Sequence, residues 1–152
     1  MGAREGGDAG GGGRRGLLVV DGANVVGSVP DGWWRDRLGA ARRLREALRP
    51  VPEAGLPGLP GPLEVVLVVE GAARPLAREE RDGGPVPGLR VTAAPGSGDD
   101  RIVELVAEES GRDPGRPCTV VTADRGLRER VTALGAAVLG PRTLRDLPPA
   151  PG

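Results

Sequence analysis

His, Lys, Phe and Tyr are absent from this 152-residue sequence, which also carries a single Cys and only two Trp. Without His there is no imidazole to activate a Ser or Cys nucleophile and none to ligate a metal. Without Lys there is no phosphate-loop lysine and no Schiff-base chemistry. Cys118 alone can form neither an intrachain disulfide nor a cysteine zinc site, and its place at the opening of an apolar run suits an ordinary buried thiol. No segment approaches the ~18 consecutive apolar residues of a membrane span, and the first residues lack the apolar region of a signal peptide. A cytoplasmic protein that engages no membrane is expected. Charge of one sign is also missing: 21 Arg face 21 Asp and Glu. That excludes the uniformly basic field of a nucleic-acid coat protein and leaves room only for a local patch. The chemistry must rest on carboxylates, hydroxyls, amides and guanidiniums.

Gly (27) and Pro (16) are in excess, but they cluster at 1–16, 50–62, 83–98 and 148–152. The rest has the composition of one domain, expected over 17–147, with an aliphatic core of Val, Leu and Ala. Residues 1–16 are expected to be a solvated, disordered Gly-rich leader, with RNA contacts through Arg4, Arg14 and Arg15 as the alternative; 148–152 form a flexible tail. Apolar runs predict strands at Leu17–Val20, Leu63–Val69, Leu89–Ala93, Cys118–Thr122 and Ala136–Leu139. Helices are expected over 33–49, with Asp31 as N-cap and Pro50 as stop, and over 72–82, 98–110 and 125–134, with a last turn at 141–147. The Pro-rich 50–62 segment is expected to be a loop. Strands alternating with helices imply an α/β fold with a parallel sheet covered on both faces.

Three of the strands end in an acid: VVDG at Asp21, VVEG at Glu70 and VTAD at Asp124. In a parallel sheet all such ends lie along one edge, where the binding crevice forms. Singly, each could be a turn or helix-cap residue; three together point to a site. The helix from Gly98 adds a fourth. At about 100° per residue, Asp99 lies within about 60° of Ile102, Val103 and Val106, along the stripe that must face the sheet, and Asp100 lies at its edge. First-turn acids also complement the helix dipole, but that role does not require a carboxylate aligned with the buried stripe. Carboxylates that converge without Lys or His need a cation to stay ionised. An oxygen-only set suits Mg²⁺ or Mn²⁺, and the chemistry such an ion supports is phosphodiester hydrolysis by activated water. Two other motifs are weaker. Gly22–Ser28 has the glycine spacing of a phosphate-binding loop, but Ser28 stands where the lysine should be. The GSG at 96–98 lacks the third glycine of a dinucleotide fingerprint.

The segments VVDGANVVGS (19–28), Glu70 of VVEG, GSGDDRIVELV (96–106) and VTADRGL (121–127) together resemble the NYN branch of the PIN-like ribonucleases, and within it the bacterial YacP-like group. DGxN at Asp21–Asn24 and the TAD at Thr122–Asp124 carry most of the likeness, which spans roughly 17–140. The resemblance implies a three-layer α/β/α sandwich whose five parallel strands run in the order 3-2-1-4-5. It also implies a Mg²⁺- or Mn²⁺-dependent RNase, an endoribonuclease acting on structured or ribosome-associated RNA. By the same resemblance Asp21, Asp99, Asp100 and Asp124 are expected metal ligands, with Glu70 a looser match. Asp21, Asn24, Asp99 and Asp124 form the expected catalytic set. Asn24, Thr122 and Arg125 are expected to position substrate.

Two other classes stay open: a non-catalytic RNA-binding module of the same fold, and a nucleotide (NTP) phosphohydrolase using the same metal site. Four unshielded carboxylates would not help a pure binder of polyanions. A basic track beside the acids would favour RNA, and Arg35, Arg37, Arg42, Arg43, Arg45 and Arg49 on the first long helix offer one; a solvated helix face is the plainer alternative. Helical spacing from Leu38, Ala41, Leu44 and Leu48 puts Trp34 in the core. Trp33 is then left partly exposed, as a platform for an unpaired base or as packing against the Pro30 turn.

Overall fold

Five strands build the sheet, the inner three buried on both faces: β1 (Gly16–Asp21), β2 (Leu63–Val69), β3 (Leu89–Ala93), β4 (Cys118–Val121) and β5 (Ala137–Leu139). The computed structural model describes residues 15–29, 32–145 and 147. The strands are all parallel, in the order β3-β2-β1-β4-β5. β1 is central, with Asp21 beside Val68 of β2 and Val20 beside Val121 of β4. Successive side chains of a strand point to opposite faces, so each strand feeds two cores. Leu18, Val20, Val65, Leu67 and Val69 face one helical layer; Leu17, Val19, Val66, Val68 and Val120 face the other. That three-layer α/β architecture is the one expected.

The first layer holds α1 (Gly22–Gly27), α2 (Arg37–Leu48), α3 (Pro75–Asp82) and the turn α6 (Arg142–Arg145), through Val25, Ala41, Leu44, Leu48, Leu76 and Leu144. The second holds α4 (Gly98–Arg112) and α5 (Arg125–Thr132), through Ile102, Leu105, Val106, Leu127 and Val131. Among the described residues no helix is long and apolar enough to cross a membrane.

Three expectations need correction. The helix foreseen over 33–49 begins only at Arg37, where the Asp36 carboxylate accepts from Gly39 N at 2.9 Å; Trp33–Arg35 form a 3-10 turn before it. The helical angle therefore does not extend back to Trp34, which is 54 % exposed and not in the core. The 50–62 segment is not an open loop: a helical turn, Val51–Ala54, leads into a hairpin, Gly55–Leu56 against Leu59–Pro60. Buried Val51 and Leu56 pin it to the core. α4 runs through Gly111 to Arg112, because Glu109 inside it is held by Arg112 and Arg116. The expectations for residues 1–14, Pro30, the Asp31 cap and 148–152 lie outside the described residues.

Candidate active site

The C-terminal ends of β1 and β4 are tied together by one hydroxyl. Asp21 closes β1 and, only 3 % exposed, caps α1, its Oδ1 accepting from Asn24 N at 3.4 Å. Gly22 makes that turn possible, since a Cβ there would stand 2.6 Å from the Val68 carbonyl. Thr122, fully buried just past β4, donates from Oγ1 to Asp21 Oδ2 at 2.9 Å and accepts from Asp124 N at 3.1 Å. Asp124 in turn caps α5, accepting from Leu127 N at 2.8 Å. Asn24, the one side-chain amide in the chain, crosses between the same two loops: its Oδ1 accepts from Ala123 N at 2.8 Å. DGxN and TAD are thus two halves of a single hydrogen-bonded unit.

The other acids arrive from neighbouring elements. Glu70 follows β2, and its Oε1 accepts from Gly98 N at 3.1 Å, which anchors the start of α4. A Cβ at Gly98 would lie 2.6 Å from that oxygen, so a larger residue there would displace the Glu70 carboxylate. Asp99 is then half-buried, facing the same edge, whereas Asp100 turns outward: it is 69 % exposed and pairs with Arg130 at 3.2 Å. Arg125 is exposed at the first turn of α5, beside Asp124.

Electrostatics show that these acids share one region. Burial pushes the Asp21 carboxyl from its ordinary 3.8 to about 6; the bonds from Thr122 and Asn24 hold it down in part, and the charges of Asp99 and Glu70 push it further up. Burial also raises Asp99, followed by the charges of Asp124 and Glu70, with Arg130 opposing them. At the opposite end of the sheet, by contrast, Glu109 and Glu64 both pair with Arg116.

Oxygen donors whose charges repel one another are the donor set a hard divalent cation relieves. No three acidic side chains among the described residues close on one point, so the residues fit an ion held by one or two carboxylates with water completing its shell, the usual habit of Mg²⁺. They do not form a preassembled cage.

The arginines are distributed differently from the expected basic track. Arg42 makes a two-point bridge to Glu79 (2.9 and 2.6 Å), Arg45 pairs with Glu46 and Glu80, and Arg49 lies 3.5 Å from Glu46. The bridges of Arg42 to Glu79 and Arg45 to Glu80 tie α2 to α3, and the pairs with Glu46 stay on α2 itself. Arg37 lies over the Trp33 ring, 5.3 Å from its centroid. Trp33 is partly buried and, with Arg37, Gly22, Val26, Glu70 and Gly71, lines a pocket of about 140 Å³ beside the acidic edge. Sequence reasoning missed Arg74, Arg78 and Arg81, which stand exposed on the far side of Gly71. Their isolation emerges only when the pairing of Glu79 and Glu80 with α2 is known.

No family model and no curated protein sequence matches the chain. Among solved structures, two of Rae1 (YacP) from Bacillus subtilis, one of them a point mutant, match it with a TM-score of 0.64 at 18 % identity. The matches cover 86 % and 85 % of this chain and 72 % and 71 % of theirs. The chain therefore has a YacP-like fold.

Proposed function

We propose that the chain is a metal-dependent ribonuclease, an endoribonuclease that hydrolyses phosphodiester bonds of RNA at the edge formed by Asp21, Glu70, Asp99 and Asp124. One observation carries the proposal: four carboxylates from four separate elements lie along the C-terminal edge of the sheet, near enough for their charges to raise Asp21 and Asp99, in a chain with neither His nor Lys to do the work. The YacP-like fold is in keeping with it.

One or two of Asp21, Asp99, Asp124 and Glu70 would hold Mg²⁺ or Mn²⁺ directly and the others through water, and the ion would supply a Lewis acid for the phosphoryl oxygens and lower the pKa of a bound water. The rest of the chemistry belongs to the chain. Thr122 spends its one hydrogen on Asp21 and so fixes the direction in which that carboxylate points. Asn24 holds the Ala123–Asp124 loop at a set distance from β1. Asp99, half-exposed at the same edge, is the acid there that water entering from solvent reaches beside the buried Asp21. Arg125 is placed to meet a phosphate next to Asp124, and Asp100 acts at the rim by holding Arg130.

The test is to incubate labelled RNA, and in parallel NTPs, with the protein in Mn²⁺, Mg²⁺ or EDTA. Internal RNA cleavage that requires the cation and is lost in D124N is expected. Cleavage that continues in EDTA overturns the proposal, and turnover of NTPs alone replaces it with the nucleotide phosphohydrolase.

Trp33 gives a separate expectation. Its ring borders the pocket next to Glu70, and stacking of an unpaired base on an exposed aromatic is worth ~1–3 kcal/mol. Trp33→Ala should weaken RNA binding in EDTA by about 5- to 100-fold with little change in melting temperature. A lowered melting temperature at unchanged affinity would make the ring a packing element alone.

A further inference from the structure

α3 is segregated by charge in a way its sequence, PLAREERD, conceals. Glu79 and Glu80 turn toward α2, where they bind Arg42 and Arg45, and Glu80 also accepts from Val86 N at 3.3 Å. Arg74, Arg78 and Arg81 are left on the outer side. All three are exposed, and among the described residues no carboxylate comes within ion-pair reach of them. With Gly71 and Ala93 they line an open groove of about 440 Å³. Spacings of four and three residues place the guanidiniums in one row along the helix, about 10 Å from end to end at the backbone.

The position of this groove matters as much as its charge. It begins at Gly71, the residue after Glu70, and Gly71 also borders the Trp33 pocket. The groove therefore shares Gly71 with the pocket that Glu70 lines. A polyanion approaching four carboxylates on a chain of zero net charge gains nothing from the overall field and must be held by a local one.

We infer that the Arg74–Arg78–Arg81 groove is the track that holds the phosphate backbone of a single-stranded RNA as it leaves the acidic edge past Gly71. The inference rests on the proposed function for the identity of the polyanion. The arginines act as charges and as multiple donors to phosphate oxygens, and they take no part in the bond-breaking step. A track of exposed guanidiniums without a groove wall that reads base edges should accept any sequence.

Counterion release gives the test. A fluorescein-labelled 12-nucleotide oligouridylate is titrated in EDTA across a KCl series. Each phosphate contact to single-stranded nucleic acid contributes about 0.7 to the slope of log affinity against log salt. Arg78→Ala with Arg81→Ala should lower that slope by about 1.4 and weaken binding about tenfold or more at low salt. The R78K/R81K pair should keep the slope, and R112A, at the opposite end of α4, should leave it unchanged. In Mn²⁺ the alanine pair should raise KM for RNA with kcat preserved. An unchanged slope in the alanine pair, or no RNA binding by the unaltered protein, overturns the inference. Binding in EDTA reads the groove and hydrolysis in Mn²⁺ reads the acids, so the two fail separately. A groove-dependent slope without hydrolysis supports the track and removes the nuclease. Hydrolysis with an unchanged slope does the reverse.

Discussion

Asp21→Asn is expected to remove RNA hydrolysis, by about a hundredfold to a thousandfold or more, and to stabilise the metal-free protein at neutral pH. The two effects share one cause. Asp21 is 3 % exposed, and burial raises its carboxyl from 3.8 to about 6. A group whose folded pKa is raised contributes stability that is complete below its unfolded pKa and is lost as pH rises through the folded one. For Asp21 that window runs from 3.8 to about 6, and the loss above it amounts to about 3 kcal/mol. The amide of D21N cannot ionise and escapes this cost, but it gives back part of the gain, since its single oxygen replaces only one of the two that accept from Thr122 Oγ1 and Asn24 N. A net gain of about 1–2 kcal/mol is expected at pH 7, or about 2–8 °C in melting temperature. The comparison to make is the melting temperature of both proteins in EDTA between pH 4 and 8. Their difference should be small at pH 4, widen in favour of D21N up to about pH 6 and stay level above it. On the proposed function Mn²⁺ is held by the ionised form, so it should raise the melting temperature of the unaltered protein at pH 7 and leave that of D21N nearly unmoved. Full turnover by D21N, or a difference that does not depend on pH, would remove Asp21 from the centre of the site.

The next largest effect separates two neighbours. Asp99→Ala should lower kcat by about a hundredfold, and Asp100→Ala by less than about threefold, since its surface pairing carries little energy. Asp99 faces Asp124 and Glu70, whose charges act on it directly. Asp100 is exposed and bound to Arg130. Both should fold alike, because neither substitution touches the Ser97 cap, whose hydroxyl accepts from the backbone of residue 100 at 3.2 Å. Rates at saturating RNA and fixed Mn²⁺ decide it. Equal losses would mean that both carboxylates face the substrate, and a larger loss at Asp100 would reverse their roles.

How far such placements are legible in the sequence depends on the regularity of the backbone around them. Asp99 sits in a helix that runs unbroken from Gly98 to Arg112, so an angle of about 100° per residue carries from Ile102 and Val106 back to the acid. The same arithmetic fails for Trp34, because the Asp36 cap separates it from the helix on which the angle was based. Strand-terminal acids were legible for a related reason: parallel strands share one direction, and Asp21, Glu70 and Asp124 must then share an edge. Hydrogen bonds between distant loops had no such signal. Thr122 and Asp21 are joined across 101 positions, and nothing in either segment names the partner. The pairing of the α2 arginines had no signal on the same ground, since Glu79 and Glu80 neutralise two of them from 35 or more positions away.

The Thr122 hydroxyl also offers a criterion for sorting other chains of this fold. Its oxygen receives one amide hydrogen and its own hydrogen goes to a carboxylate, an arrangement that Ser can reproduce and that Val or Ala cannot. A chain that keeps all four acids but has an aliphatic residue at this position would still look complete in a motif search. Its first-strand acid, however, would have lost the donor that orients it. Inventories of enzymes and their inactive look-alikes built on carboxylates alone would count such a chain on the wrong side.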